Sequence, residues 1–187
     1  MIRSEIIKNL IPVIEDELVV CNIGLPSQEL HMMGDRPTNF YMLGTMGLSS
    51  SIGLGLALAQ DKKVISIDGD GSVLTNLGTL PTIANNVANN YILFVVDNGS
   101  YGSTGDQPTY AGMKTSLAEV ARACGCENVI ECQAEDAVDV MKGALAGEEM
   151  AIIICKCESG NIPVPVIELD APVIRHRFMQ EVARKNQ

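Results

Sequence analysis

Two apolar runs that each end in small polar residues decide the fold: residues 64–72 read VISIDGDGS and residues 91–101 read YILFVVDNGSY. Their apolar parts, 64–68 and 91–96, are rich in β-branched side chains and do not alternate with polar ones. This pattern is typical of strands that are buried on both faces, as in a parallel sheet. Further strands are predicted at 18–23 and 150–155, and a short fifth one at 128–131.

Segments with helical spacing of apolar residues lie between these runs. The predicted helices are 2–14, 47–60, 117–125, 135–145 and 173–184. The segment 47–60 is small and apolar throughout, so we expect it to be buried on all sides. Alternating strands and helices predict a single domain, residues 1–187, of the α/β class. Its core is expected to be a three-layer, doubly wound, mostly parallel sheet with helices on both faces.

The composition of the chain excludes several classes of function. Hydrophobic residues make up 47% of the 187 residues and charged residues 19%, so much surface is expected to be buried in the sheet or in an assembly. The formal net charge of −10 argues against nucleic acid and anionic membranes as partners. No apolar run is long enough for a membrane span, and residues 1–8 lack the apolar stretch of a signal peptide. We therefore expect a cytoplasmic protein whose six cysteines are reduced.

The two decisive strands end in residues suited to an anion and a cation. Backbone N–H groups of Gly71 and Ser72, before a helix expected to start near Val73, can bind a phosphate group. The carboxylate of Asp70 would repel that phosphate unless a divalent cation lay between them. Because Mg²⁺ prefers oxygen ligands, Asp70, the side chain of Asn98 and the carbonyl of Ser100 are its candidate ligands.

Other interpretations of this glycine-rich turn fit less well. Gly69 and Gly71 are followed by Leu74, so the dinucleotide fingerprint is not met. No phosphate-binding P-loop motif is present, and an EF-hand loop starting at Asp68 would end on Thr79 instead of an acid. A simple tight turn at 69–72 remains as the alternative without a ligand.

Three motifs resemble those of the thiamine-diphosphate-dependent enzymes. Gly69-Asp70-Gly71-Ser72, followed by Asn98, resembles their GDG…N signature, and 44–47 (GTMG) resembles their turn before a long helix. The resemblance implies thiamine diphosphate and Mg²⁺ as cofactors. It implies Met46 beneath the bend of the cofactor, the Gly44 carbonyl as acceptor from its amino group, and Asp70, Asn98 and Ser100 on the metal. The implied cofactor contacts are Gly44, Thr45, Met46, Gly69, Asp70, Gly71, Ser72, Asn98, Ser100, Tyr101 and Ser103.

The resemblance covers the diphosphate-binding module of this family. Its members also need a glutamate from a separate pyrimidine-binding module, and none of the glutamates at positions 5, 15 and 29 lies in a recognisable second module. The resemblance therefore implies a hetero-oligomer in which an alpha subunit carries that module and its activating glutamate.

Smaller motifs narrow the subfamily. Residues 22–30 (NIGLPSQEL), 103–109 (STGDQPT) and 177–179 (RFM) are similar to stretches of sulfopyruvate and phosphonopyruvate decarboxylases. The split architecture is similar to the sulfopyruvate decarboxylases, which implies a β chain that forms sulfoacetaldehyde and CO₂ from 3-sulfopyruvate on the route to coenzyme M in methanogens. The other possibilities are a phosphonopyruvate decarboxylase-like enzyme, half of another split synthase or 2-keto acid oxidoreductase, or a non-catalytic nucleotide-binding regulatory domain.

The sequence leaves the roles of several candidate residues open. Some decarboxylases of this family place a catalytic glutamate soon after the metal-binding asparagine. Residues 102–104 read GST here, so this chain has no glutamate at that place. Thr104 and Gln107 are hypothetical hydrogen-bond partners of the 2-keto acid substrate. His31, Arg36 and Lys114 are cations that a sulfonate or phosphonate could use, although surface roles are the default. The C-x-C pairs at 124–126 and 155–157 lack the usual zinc spacing and are expected to be structural thiols, and His176 is expected at a surface or an interface.

Overall fold

The computed structural model describes residues 1–184, and its centre is a six-stranded sheet in which all neighbouring strands are parallel. The strands are β1 (Leu18–Cys21), β2 (Asn39–Tyr41), β3 (Val64–Gly69), β4 (Tyr91–Asp97), β7 (Val129–Gln133) and β8 (Ala151–Lys156). Their order across the sheet is β2-β1-β3-β4-β8-β7. Two short strands, β5 (Ser100–Tyr101) and β6 (Gln107–Pro108), pair antiparallel outside the main sheet. The sequence predicted five of the six main strands and missed β2, which is only three residues long.

Eight α-helices accompany the strands within residues 1–184. They are α1 (Arg3–Leu10), α2 (Leu25–Gly34), α3 (Ser49–Ala59), α4 (Asp70–Thr75), α5 (Thr79–Asn85), α6 (Leu117–Ala123), α7 (Ala137–Ala146) and α8 (Ala171–Ala183). The sequence did not predict α2 or α5, and it placed the start of α4 three residues late. None of these helices has the length and apolar character needed to cross a membrane.

The core consists of two apolar layers, one on each face of the sheet. Along β4, Phe94 packs with α1, α2 and α7, whereas Leu93 packs with α3, α5 and α6 on the opposite face. Side chains of a strand point alternately to the two faces, so the uninterrupted apolar sequence of β4 fills both layers. The predicted three-layer, doubly wound α/β fold is therefore confirmed.

The strand order changes direction at β1. From β1 the chain passes through α2 to β2 on one side, and then through α3 to β3 on the other side of β1. Such a switch point opens a crevice at the carboxyl ends of the two strands on either side of it, because the following helices lie on opposite faces. The residues that follow β1, β3 and β4 are therefore brought to one edge of the sheet.

The helix α3 is only half buried, which corrects the prediction that it is covered on all sides. Gly53, Leu54 and Ala57 face the core, but Leu58 is 54% exposed and Leu48 is exposed too. The apolar residues of α3 occupy its whole circumference, and the sheet can cover only one side of a helix. Its outer face is apolar surface that no described part of this chain covers.

The close approach of α3 to the sheet generates a prediction about two glycines in one helix. A Cβ on Gly53 would overlap Ser66 Oγ and lie 2.9 Å from Tyr91 Cε2, whereas a Cβ on Gly55 would meet nothing within 4 Å. We expect Gly53→Ala to lower the free energy of unfolding by about 1–3 kcal/mol through overpacking. Gly55→Ala should raise it by about 0.5–1 kcal/mol through helix propensity. Urea unfolding of the two variants checks this; equal effects would contradict the described packing.

Candidate functional site

A cavity of about 200 Å³ lies at the carboxyl ends of β1, β3 and β4. Most of its lining comes from three segments that are far apart in sequence: the loop after β1, the start of α4, and residues 98–104 after β4. Arg3 and Met46 line it as well. Of the residues predicted for the site from the sequence, it brings together Met46, Gly69, Asp70, Gly71, Ser72, Asn98, Ser100, Tyr101, Ser103 and Thr104.

Asp70 is a buried carboxylate at the base of this cavity. It is the first residue of α4 and is 1% exposed. Its Oδ2 accepts a hydrogen bond from the hydroxyl of Thr109, and no basic side chain within residues 1–184 pairs with it. Burial raises the pKa of Asp70 to about 6, and the nearby charge of Asp97 acts in the same direction. A buried carboxylate of this kind is usually paired with a cation or coordinates a metal.

The basic residues around the cavity are already paired with acids of the same chain. Arg3 lines the cavity, but its Nε and Nη2 each donate to a carboxylate oxygen of the buried Glu29 at 2.8 Å. Lys156 forms an ion pair with Asp97, the last residue of β4. The charge of Asp70 is therefore left uncompensated among the described residues.

The loop after β4 brings Asn98 and Ser100 to the cavity that Asp70 lines. Asn98 follows β4 directly, and its Oδ1 accepts from the backbone N–H of Ser100 at 3.1 Å. Gly99 has a φ of +66°, which turns the chain sharply between the two residues. Tyr101 then packs its ring on Gly71, where any Cβ would overlap Tyr101 Cε1. Asp70, Asn98 and Ser100 thus line one cavity, as expected from their positions at adjacent strand ends.

The hydroxyl of Ser72 serves to hold the cavity together. Its Oγ accepts from the N–H of Gly47 at 2.9 Å and donates to Asn22 Oδ1 at 3.2 Å. It thereby links the loop after β1, the start of α4 and the turn before α3. In this arrangement the group of Ser72 that is left for an anion is its backbone N–H.

The turn at residues 44–47 has an unusual backbone. Thr45 has a φ of +64° and Gly47 a φ of +90°. A β-branched residue in the left-handed region costs of order 1–3 kcal/mol and is found mainly at functional sites. Met46 is 40% exposed and lines the cavity, whereas Gly44 and Thr45 line an adjacent groove together with Leu43 and Leu48. The turn thus lies between the cavity and the uncovered face of α3.

Thr104 and Gln107 interact with each other. Thr104 Oγ1 donates to Gln107 Oε1 at 2.9 Å, and Gln107 Nε2 donates to the Thr104 carbonyl at 2.8 Å. Thr104 lines the cavity, whereas Gln107 lies outside its lining, so the structure places only the first beside the cavity. The same loop packs closely on Gly24, because the Cβ of any residue replacing Gly24 would lie 3.1 Å from Ser103 Oγ.

Several residues that the fold brings to the cavity were not assigned to the site from the sequence, although four of them lie in the subfamily motif at 22–30. Asn22, Ile23, Gly24 and Pro26 reach it because β1 ends at the switch point, and Arg3 because α1 packs beside α2. Gly24 has a φ of +77° and directly precedes α2, so the first turn of this ten-residue helix points at the cavity. The glycine and proline at 24 and 26 were the available signal, since both are typical of helix starts.

The isolated basic residues considered from the sequence lie elsewhere. His31 packs edge-on against Tyr41, and Arg36 donates to the carbonyls of Ile14 and Glu15 at 2.6 Å. Lys114 is exposed outside the lining of the cavity, and His176 is exposed on α8. All six cysteines are free thiols, and residues 1–184 contain no group of three or more His, Cys, Asp or Glu side chains placed to hold a metal ion.

Comparisons with known proteins agree with this geometry. Residues 25–155 match the family described as "Thiamine pyrophosphate enzyme, C-terminal TPP binding domain". The chain is 48% identical, over 97% of its length and 98% of the relative's, to "Sulfopyruvate decarboxylase subunit beta" of Methanococcus maripaludis. It is 40% identical to "Sulfopyruvate decarboxylase" of Methanosarcina acetivorans, of which it covers only 47%.

A solved structure supports the fold. The 2-oxoglutarate:ferredoxin oxidoreductase of Magnetococcus marinus superposes with a TM-score of 0.69 at 20% identity, over 83% of this chain and 62% of that one. At this identity the similarity concerns the fold alone. The matched family and the relatives confirm the resemblance seen in the sequence motifs. The chain belongs to the thiamine pyrophosphate enzymes and, among them, to the family of the sulfopyruvate decarboxylase β subunits.

Proposed function

We propose that this chain, a single domain of residues 1–187, is the β subunit of a decarboxylase that converts 3-sulfopyruvate to sulfoacetaldehyde and CO₂. It would bind thiamine diphosphate and Mg²⁺ and act in a hetero-oligomer with an alpha subunit. The observation that carries the proposal is the convergence of Asp70, Asn98 and Ser100 on one cavity beside the first turns of α2 and α4. The printed names of its relatives support the substrate and the division into subunits.

The residues present fit a divalent cation and a diphosphate. Asp70 supplies a buried carboxylate without a basic partner in residues 1–184, and Asn98 and Ser100 supply neutral oxygens, a set that suits Mg²⁺. The backbone N–H groups of Gly71 and Ser72 can face an anion that the cation also binds. Tyr101 lies against Gly71 and narrows the space above these groups.

The rest of the proposed mechanism concerns the conformation in which the cofactor is held. Bound thiamine diphosphate supplies an electron sink for the release of CO₂. Met46 projects from a strained turn into the cavity, where its side chain would support the bend of the cofactor. The carbonyl of Gly44, on the same turn, would accept a hydrogen bond from the amino group. A rigid turn of this kind holds both groups in place before the substrate arrives.

We propose that the partner completes the site at the exposed turn. No glutamate lines the cavity within the described residues, so the acid that activates the cofactor would come from the alpha subunit. Leu43 is 55% exposed and Leu48 is exposed as well, both beside Gly44 and Met46. This apolar surface is continuous with the uncovered face of α3, and a partner seated there would reach the cofactor. The M. acetivorans relative, twice the length of this chain, has room for both modules.

The substrate's sulfonate is proposed to be held mainly by the partner. Arg3 is the only basic residue that lines the cavity among residues 1–184, and Glu29 already pairs with it. Thr104 remains a candidate to hydrogen-bond the substrate from this chain, with Gln107 fixing its orientation.

The direct test is CO₂ release from 3-sulfopyruvate by this chain, purified alone and together with its co-expressed alpha subunit. We expect activity from the complex with thiamine diphosphate and Mg²⁺, and none from the chain alone. Phosphonopyruvate and pyruvate are compared as substrates, and a preference for phosphonopyruvate would reassign the substrate. Full activity of the chain alone would refute the shared site.

The metal site is tested by Asp70→Asn in the same complex. We expect activity to fall by more than about 100-fold, since removing even the residues that orient metal ligands commonly costs 10–100-fold. Asp61→Asn changes an exposed aspartate away from the cavity and is the matched control. Thiamine diphosphate affinity, measured by calorimetry, should fall only in the first variant; unchanged affinity and activity would favour a non-catalytic domain.

The proposed interface is tested by Leu43→Asp and Leu48→Asp. Burying an unpaired carboxylate costs several kcal/mol, so the affinity for the alpha subunit should fall by about 100-fold or more. Val87, 59% exposed before β4 and therefore at the opposite edge of the sheet, offers Val87→Asp as the control. Analytical ultracentrifugation of each pair gives the affinities. Equal effects at all three positions would argue against an interface at the turn.

A further inference from the structure

Thr109 is buried beside the cavity and lies outside the motifs discussed above for metal and diphosphate binding. It follows β6 and is 0% exposed. Its hydroxyl donates to Asp70 Oδ2, and its backbone N–H donates to the carbonyl of Gly99 at 2.9 Å. One residue is thus bonded both to the aspartate at the end of β3 and to the turn between Asn98 and Ser100 at the end of β4.

The hydroxyl of Thr109 has a defined direction. Its Oγ1 accepts from the N–H of Gly112 at 3.3 Å, which uses an acceptor site and leaves the proton for Asp70. Gly112 can reach this position because it packs on Gly99: a Cβ on Gly112 would lie 2.8 Å from the Gly99 carbonyl oxygen. The two glycines therefore close the loop, and the closed loop presents Thr109 to the carboxylate.

The loop returns to the site through a short hairpin. The strands β5 and β6 pair antiparallel, with Ser100 opposite Pro108 and Tyr101 opposite Gln107. Gly105 and Asp106, with φ values of +115° and +58°, form the left-handed turn between them. The hairpin places Thr109 directly after β6, five positions after Thr104, the last residue of this loop that lines the cavity, and eleven positions after Asn98.

We propose that Thr109 is a positioning residue for the metal site. Its hydroxyl donates a hydrogen bond to Oδ2 of Asp70, which leaves Oδ1 to face the cation. The same bond fixes the position of Asp70 relative to Asn98 and Ser100. The inference rests on the proposed Mg²⁺ site and deepens it. Residues that hydrogen-bond to metal ligands orient them and contribute to metal affinity. Thr109 does this across two strand ends, so it sets the spacing of ligands that come from different parts of the chain.

The test compares Thr109→Val with Thr109→Ser in the complex with the alpha subunit. Valine keeps the shape of threonine and removes the donor, whereas serine keeps the donor. Mn²⁺ is titrated into the complex in the presence of saturating thiamine diphosphate, and the concentration of free Mn²⁺ is measured by electron paramagnetic resonance. We expect Thr109→Val to raise the Kd for Mn²⁺ by about 10–100-fold, and Thr109→Ser to keep the wild-type value. Thr38→Val is the matched control, because the hydroxyl of Thr38 is buried and has no hydrogen-bond partner among the described residues.

The outcomes separate the inference from the function on which it rests. Asp70→Asn should abolish Mn²⁺ binding, and if it does not, the metal site itself is wrong. If Asp70→Asn abolishes binding and Thr109→Val leaves the Kd unchanged, the role of Thr109 is refuted. A purely structural role would lower the thermal midpoint of the metal-free complex without changing the Kd of the folded protein, which also refutes it. Should Thr109→Val fail to fold, Thr109→Cys, with a weaker donor, replaces it and is expected to bind Mn²⁺ more weakly than Thr109→Ser does.

Discussion

All six strands of the main sheet run in the same direction, so the carboxyl ends of β1, β3 and β4 meet at a single edge. Most other features of the site depend on this constraint. Asn22, Asp70 and Asn98 are 28 or more positions apart in sequence, yet each directly follows a strand and therefore arrives at the same cavity. The change of direction in strand order at β1 opens the space between them. Without the parallel arrangement, the same residues would lie at opposite edges of the sheet.

The electrostatics of the cavity follow from how its charges are paired. Arg3 is paired with Glu29 and Lys156 with Asp97, so neither of these two basic residues near the cavity is free to compensate Asp70. Asp70 is left as a buried carboxylate whose pKa is raised mainly by burial. A bound divalent cation would stabilise the ionised form, since an opposite charge nearby favours ionisation. The cost of burying Asp70 is thus consistent with a site that is built for a metal ion and not for folding alone.

The distribution of buried and exposed groups supports the proposal that this chain forms half of a site. The groups that would anchor a diphosphate, at Gly71 and Ser72, are buried, whereas residues 44–46 of the turn are exposed and lie next to the uncovered apolar face of α3. An apolar face next to a strained turn is stable when another surface covers both, because the apolar side chains then leave water. The family assignment and this surface lead to the same proposal, that the catalytic centre is completed by a second chain.

The sequence by itself determined the fold class, five of the six main strands and the set Asp70, Asn98 and Ser100. It could do so because uninterrupted apolar runs specify buried parallel strands, and the polar residues after them must then share an edge. Only the tertiary structure decided which other residues join them. Arg3 and Asn22 reach the cavity through a packed helix and a switch point, and Thr109 reaches Asp70 through a hairpin. None of these contacts leaves a periodic signal in the sequence. The half-exposure of α3 was also decided at this level, because an apolar sequence shows that a helix can bury surface, and only the packing shows which side of the helix is left uncovered.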